Sequence, residues 1–265
     1  MPALGEEMYE SYSMPLIAPA YSEGPVRYHG DGIVASYPMD EQVYAECIPE
    51  PLEPTDQPAC QLLSVDYSRT SGLGSYQELM VSIPALYEGE AIAYSPLFLL
   101  NGGVATAAGR EVLGIQKVNC DISFSEYDKE LQRVFTRGDV DVLSLTMAPE
   151  REVTDWDELP LEDGMQIASW KRIPSMVPGE PPAVDRIVTS LITDLSIEWA
   201  WEGSVSLEIS KSVDAPLHLF EPTGDISGYR VNFSWVGGEH DDAILHTFDE
   251  YNPQEGEEAH PSRQD

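Results

Sequence analysis

Val140-Asp141-Val142-Leu143-Ser144-Leu145 decides the fold class. Its apolar and polar residues follow the period-two pattern of a half-buried strand. Working outward, comparable strand-like runs are predicted over 33–37, 60–67, 78–87, 93–100, 140–147, 167–173, 187–199, 205–209 and 229–236. The run at 33–37 stops at Pro38, which cannot donate to a ladder. Helical signals are few. Asp40 is a candidate N-cap for a short helix that reaches Cys47 before Pro49-Glu50-Pro51, and a second helix is expected around 105–113, ending near Gly114. Many strands with few helices predict a β-rich domain, closed into a barrel or a folded sheet, with the helices as additions. One domain is expected over 1–251, followed by a polar, acidic and mobile tail over 252–265.

The 265 residues, 42% of them hydrophobic, suffice for one large core. Acids outnumber bases 47 to 14, for a formal charge of -33, yet they are scattered through hydrophobic segments instead of gathered in one tail. This distribution argues against disorder and for a surface adapted to high salt, where a Debye length of about 3 Å screens self-repulsion. Nucleic acid is excluded as a partner, because no basic stripe exists to replace phosphate counterions. The N-terminus lacks a basic start and apolar run, and Asn101-Gly102-Gly103 interrupts the longest uncharged stretch, so neither a signal peptide nor a membrane span is expected. A soluble, cytoplasmic protein is expected. Cys47, Cys60 and Cys120 show no disulfide or zinc spacing and read as buried thiols.

Within this acidic chain, Lys117 is one of only four lysines, and it sits in the uncharged stretch Val112-Leu113-Gly114-Ile115-Gln116-Lys117-Val118. Apolar surroundings disfavour an ammonium and lower its pKa towards neutrality, giving a free amine able to attack a carbonyl and form an imine. The plainer alternative is a lysine that buries its methylenes and sends its charge to water.

Three stretches read together narrow the choice. They are Thr70-Ser71-Gly72-Leu73-Gly74-Ser75-Tyr76-Gln77-Glu78, Gly109-Arg110-Glu111 six residues before Lys117, and Ala200-Trp201-Glu202-Gly203 leading to Ala215-Pro216-Leu217. With Gly24-Pro25 and Pro49-Glu50-Pro51-Leu52, their order and spacing resemble the acetoacetate decarboxylase family from about Pro15 to Tyr251. The resemblance implies a double-cone β-barrel, a homo-oligomer, Lys117 as the imine-forming lysine and Glu78 as the active-site glutamate. A small keto acid is the implied substrate, and the chemistry requires no cofactor, since the lysine is itself the electron sink. Gly72, Leu73 and Gly74 are candidate pocket residues, and Arg110 and Glu111 are candidate supports of the lysine loop. An aldolase-dehydratase acting through a pyruvate imine and a ligand-binding relative without turnover remain as alternatives.

The departures from the family pattern are equally specific. Val118 stands where the family has a second lysine, Gly30 and Asp31 stand near the family's arginine, and Leu62 and Leu63 stand near a further acid. His29 is a candidate substitute for the arginine as a carboxylate partner. No metal is expected: His240, Asp241, Asp242 and His246 fit no standard ligand spacing and read as surface residues. Trp199 and Trp201 are expected to pack in the core.

Overall fold

The computed structural model describes residues 11–238 and 243–248. The first strand, β1 (Val26–Pro38), precedes α1 (Glu41–Cys47) and the short β2 (Glu53–Pro54). Three long strands follow, β3 (Ala59–Thr70), β4 (Tyr76–Tyr87) and β5 (Glu90–Leu100), and then α2 (Gly103–Glu111) and β6 (Lys117–Asn119). An antiparallel series comes next, β7 (Asp121–Tyr127), β8 (Glu130–Arg137) and β9 (Val140–Val153). The chain continues through β10 (Gln166–Ile173), β11 (Val184–Ile209), β12 (Ser227–Gly238) and β13 (Ile244–Thr247). All belong to one 13-stranded sheet ordered β10-β5-β4-β3-β1-β12-β11-β9-β8-β7, and β10 also pairs with β11, so the pairings return from β11 to β10.

The two faces of this sheet are both covered. On one, Ile33, Leu79, Leu99, Phe135, Leu145 and Met147 form a core with essentially no exposure. On the other, Tyr28, Val65, Tyr67, Met80, Phe98 and Phe233 form a second cluster. Adjacent residues therefore belong to different cores: Leu79 to the first and Met80 to the second, Leu99 to the first and Phe98 and Leu100 to the second. Strand alternation imposes this division.

Several predicted elements change on inspection. The runs 187–199 and 205–209 are one 26-residue strand. Gly203 does not break it; a Cβ there would lie 2.0 Å from the Ala148 carbonyl oxygen, so the glycine admits the close approach of β9 at a bulge between Glu202 and Gly203. In the 140–145 stretch, Val142 and Leu143 are both fully buried because the β8–β9 register shifts between Phe135 and Thr136. Strands β7 and β8 were not expected from the sequence. The Asp128-Lys129 turn joins them with positive φ at both positions, the geometry of a type I′ hairpin. Trp201 is exposed and Trp199 only half-buried beneath the Arg230 guanidinium, so this pair is not core. A bulge between Ile197 and Trp199 shifts the β11 register against β12 there.

The helix expectations hold more closely. Asp40 caps α1, its side chain accepting from the Val43 amide at 3.0 Å. Helix α2 ends at Glu111, earlier than expected, while Gly114 has φ +66° and lies against the Lys171 side chain, where any Cβ would collide at 2.4 Å. Lys171 reaches back to the helix end, its Nζ donating to the carbonyls of Glu111 and Val112 at 2.6 and 2.8 Å. A cation there complements the helix dipole and satisfies two terminal acceptors. The three cysteines are free, Cys60 and Cys120 buried and Cys47 partly so. The 252–265 tail and the residues His240, Asp241 and Asp242 lie outside the described residues. No helix among the described residues is long and apolar enough to cross a membrane.

Candidate active site

Lys117 opens β6, which runs parallel to β5 with Lys117 opposite Phe98. The preceding loop is tight: the Lys117 amide donates to the Ile115 carbonyl at 2.8 Å, and the Ile115 amide donates to the Gly109 carbonyl at 2.9 Å. Arg110 Nη1 donates to the Lys117 carbonyl at 3.0 Å, tying the helix end to the lysine's backbone. The lysine side chain then passes over α2 at Gly109. A Cβ on Gly109 would lie 2.6 and 2.7 Å from the lysine's Cε and Cδ, so only glycine leaves room for it.

Glu78 sits on the neighbouring β4, between Val65 of β3 and Leu100 of β5. Its Oε2 lies 2.7 Å from Lys117 Nζ, and the side chains are 9% and 6% exposed. The approach is close, but its angles leave Oε2 without an aligned hydrogen bond. We take the contact as an ion pair by distance that is not locked in one orientation, because Coulomb attraction is far less directional than a hydrogen bond. The Tyr76 and Phe98 rings flank the ammonium, with centroids 5.6 and 5.7 Å from Nζ.

The pair sits in a cavity bounded on one side by aromatic rings. Trp235 stacks on Tyr28 at 4.1 Å, Tyr28 meets Tyr67 at 5.2 Å, and Tyr67 meets Tyr76 at 5.1 Å, so a continuous aromatic wall leads to Lys117. Burial, reinforced by the Glu78 charge, raises the pKa of Tyr28, Tyr67 and Tyr76, which keeps their phenols neutral. Aliphatic side chains complete the lining, Ala108, Val112 and Leu113 at the α2 end together with Met165, Ile192 and Leu195. Tyr21, in the segment before β1, closes part of the mouth. Its hydroxyl donates to the Glu111 carboxylate at 2.5 Å, and burial first, then this acceptor, pushes its pKa up to about 12.

The residues singled out in the sequence divide by location. Lys117, Glu78, Gly72 and Leu73 line the cavity; Gly74 does not, and instead accepts from Thr70 Oγ1 in the turn before β4. His29 lies outside the cavity lining, opposite Ser234 and Arg69 in the sheet and 4.0 Å from Glu198. Strand alternation explains the miss, since Tyr28 and Gly30 take the cavity side of β1 and leave His29 on the other. Arg110 and Glu111 hold Lys117's backbone and Tyr21, respectively. The aromatic wall and the Gly109 slot were not anticipated. Tyr67 and Tyr76 bracket the turn already quoted, and Gly109 was already in the motif, but the contact between Gly109 and Lys117 requires the folded loop. Among the described residues, no group of three or more His, Cys, Asp or Glu side chains is arranged to hold a metal ion.

A family model described as "Acetoacetate decarboxylase (ADC)" matches residues 13–244. The chain belongs to the acetoacetate decarboxylase family. It is 28% identical over 217 residues to the acetoacetate decarboxylase of Clostridium botulinum, covering 81% of this chain and 87% of the relative. The Bordetella avium acetoacetate decarboxylase is 27% identical over 233 residues, covering 87% and 89%. In fold, the chain is similar to the solved acetoacetate decarboxylase of Legionella pneumophila, with a TM-score of 0.82 and 20% identity over 94% of this chain and 98% of that one.

The two main departures from the family pattern have local explanations. Val118 packs against the core on the opposite face from Lys117, as the next residue in a strand must. A side chain at 118 therefore points away from the amine. At Gly30, a Cβ would meet Val65 Cγ1 at 2.7 Å, the Asp66 carbonyl oxygen at 2.9 Å and Tyr67 Cδ1 at 3.1 Å. Any side chain at this position would collide with them, so neighbouring apolar groups occupy its space.

Proposed function

We propose that this protein is a carbon–carbon lyase that decarboxylates a β-keto acid through an imine on Lys117. The observation that carries this reading is the buried Lys117–Glu78 pair, 2.7 Å apart at the end of an apolar cavity. In the reacting form Glu78 carries the proton and Lys117 is a free amine; the amine adds to the substrate's ketone, Glu78 supplies the proton, and water leaves to give an iminium. The bond to the carboxylate then breaks, its electron pair forms the enamine, and CO2 departs. Charge is dispersed as CO2 leaves, so a dry cavity favours this step over the carboxylate ground state. Glu78 relays a proton from solvent to the enamine carbon, and water hydrolyses the resulting iminium to release the ketone and restore the pair. The net change is one keto-acid anion plus one proton to one ketone plus CO2.

Family membership and the curated relatives support decarboxylation; the aldol-type and binding-only readings have no such support. Arg110 and Glu111 act in this scheme as positioning residues, through the Lys117 backbone and Tyr21. The return of the strand pairings from β11 to β10 supports a closed, single-domain barrel of the double-cone type. We further propose a homo-oligomeric cytoplasmic enzyme with a salt-adapted surface, on the basis of the family resemblance and the -33 formal charge.

The test is borohydride reduction in molar KCl with acetoacetate, followed by intact-mass and peptide analysis. An acetone-derived (isopropyl) adduct on Lys117 is expected. Absence of any adduct in folded protein would overturn imine chemistry.

A further inference from the structure

The geometry points to a substrate more apolar than acetoacetate: a β-keto acid with a longer hydrocarbon acyl chain, held by its tail and not by its carboxylate. This inference rests on the imine reading above and names the substrate class for that site.

Among the described residues, Lys117 is the only cation that lines the cavity, and imine formation uses its nitrogen. No second cation among the described lining residues receives a carboxylate. The other charged lining groups are the acids Glu78 and Glu162, which repel an anion. For a four-carbon keto acid, whose carboxylate is its main recognition feature, such a site offers little binding. For an acid with an apolar tail it offers a great deal. The aromatic wall from Trp235 to Tyr76 and the aliphatic side chains of Leu113, Met165, Ile192 and Leu195 line the same cavity as Lys117.

The lining is of a kind that rewards a hydrocarbon tail. Each methylene moved from water into such a lining strengthens binding by up to about fourfold. The neutral phenols of the wall add no charge that would oppose an apolar tail.

The experiment compares acetoacetate, 3-oxohexanoate and 3-oxooctanoate as substrates in molar KCl, with CO2 release as the readout. In parallel, acetone, 2-pentanone and 2-heptanone compete for borohydride trapping on Lys117. The expected result is a kcat/KM at least about tenfold higher for 3-oxohexanoate than for acetoacetate, with preferential trapping of the longer ketones. In the Met165→Trp variant, which fills the tail space, the ratio between long and short substrates should collapse towards one. Trapping on Lys117 with no preference for length, or a ratio unmoved by Met165→Trp, would overturn the substrate class and leave the imine reading standing. No trapping with any of the ketones or keto acids would overturn both.

Discussion

The two faces of the central strands share one backbone but carry different matter. On the first face, Leu79, Leu99, Phe135, Leu145 and Met147 meet at essentially zero exposure and leave no cavity at the site. On the second face, β4, β5 and β6 place Glu78, Met80, Phe98 and Lys117 around a hollow. Small residues of α2, Ala105, Ala108 and Gly109, line it. Packed interiors tolerate few voids, so one face must hold the fold together while the other is left open. A residue's parity in the strand therefore determines whether it serves stability or chemistry.

The sharpest test of that division exchanges the parity of the proposed nucleophile. Lys117→Ala should abolish borohydride trapping and lower decarboxylation by at least about 10⁴-fold, since among the described residues no other amine lines the cavity. The double variant Lys117→Val with Val118→Lys retains a lysine one residue away, yet strand alternation turns it into the opposite core. It should be as inactive as the alanine variant and less stable, by thermal melting. Recovered activity would show that the two faces are not separated as described. Next in size is Glu78→Gln, which keeps shape and burial but removes the proton relay. A loss of about 10² to 10³ in kcat is expected, with trapping of a ketone on Lys117 still detectable; an unchanged kcat would remove Glu78 from the mechanism.

Much of the stable face was legible in the sequence, and less of the open one. Period-two runs located β3, β4, β5, β10 and β12, and the capping signal located α1, because these depend on local pattern. Strand β7 escaped because it is almost wholly exposed and gives no apolar alternation, and β8 because its buried face carries Arg133 between Leu131 and Phe135. The division of β11 into two runs failed because residues 200–204 show no simple period-two pattern; Gly203 stands there to admit a neighbouring strand's carbonyl. Lys117 and Glu78 stood out by chemistry and family spacing. His29 was assigned to the wrong side, since the parity of β1 relative to the cavity depends on which face the rest of the sheet leaves open. The aromatic wall draws Tyr28, Tyr67, Tyr76 and Trp235 from separate strands, and no local window contains them.

Stability should differ between the faces by a smaller but measurable margin. Leu99→Ala, on the packed face, is expected to cost about 2–5 kcal/mol, because its neighbours cannot collapse fully into the void. Leu113→Ala, at the rim of the cavity and only half-buried, should cost about 1 kcal/mol, since its side chain already borders open space. Denaturant midpoints in molar KCl would give the comparison. Equal losses would mean that the cavity face carries as much of the fold as the packed one.

The smallest expected effect is also the most local. Gly109→Ala replaces a glycine inside α2 with the best helix former, which by propensity alone should stabilise the helix by about 1 kcal/mol. The added methyl, however, would occupy the groove through which Lys117 passes, at 2.6 and 2.7 Å from its Cε and Cδ. Either the lysine swings away from Glu78 or the helix end moves, and both disturb a 2.7 Å pair. Little net change in melting is expected, together with a loss of about tenfold in kcat, the scale on which small misplacements of a reacting group act. Gly103→Ala is the control: it lies in the same helix, and a Cβ there meets nothing within 4 Å. If both variants lose activity equally, the effect belongs to the helix as a whole. If only Gly109→Ala does, the glycine is present for the lysine, and the open face holds its proposed nucleophile by leaving out a side chain.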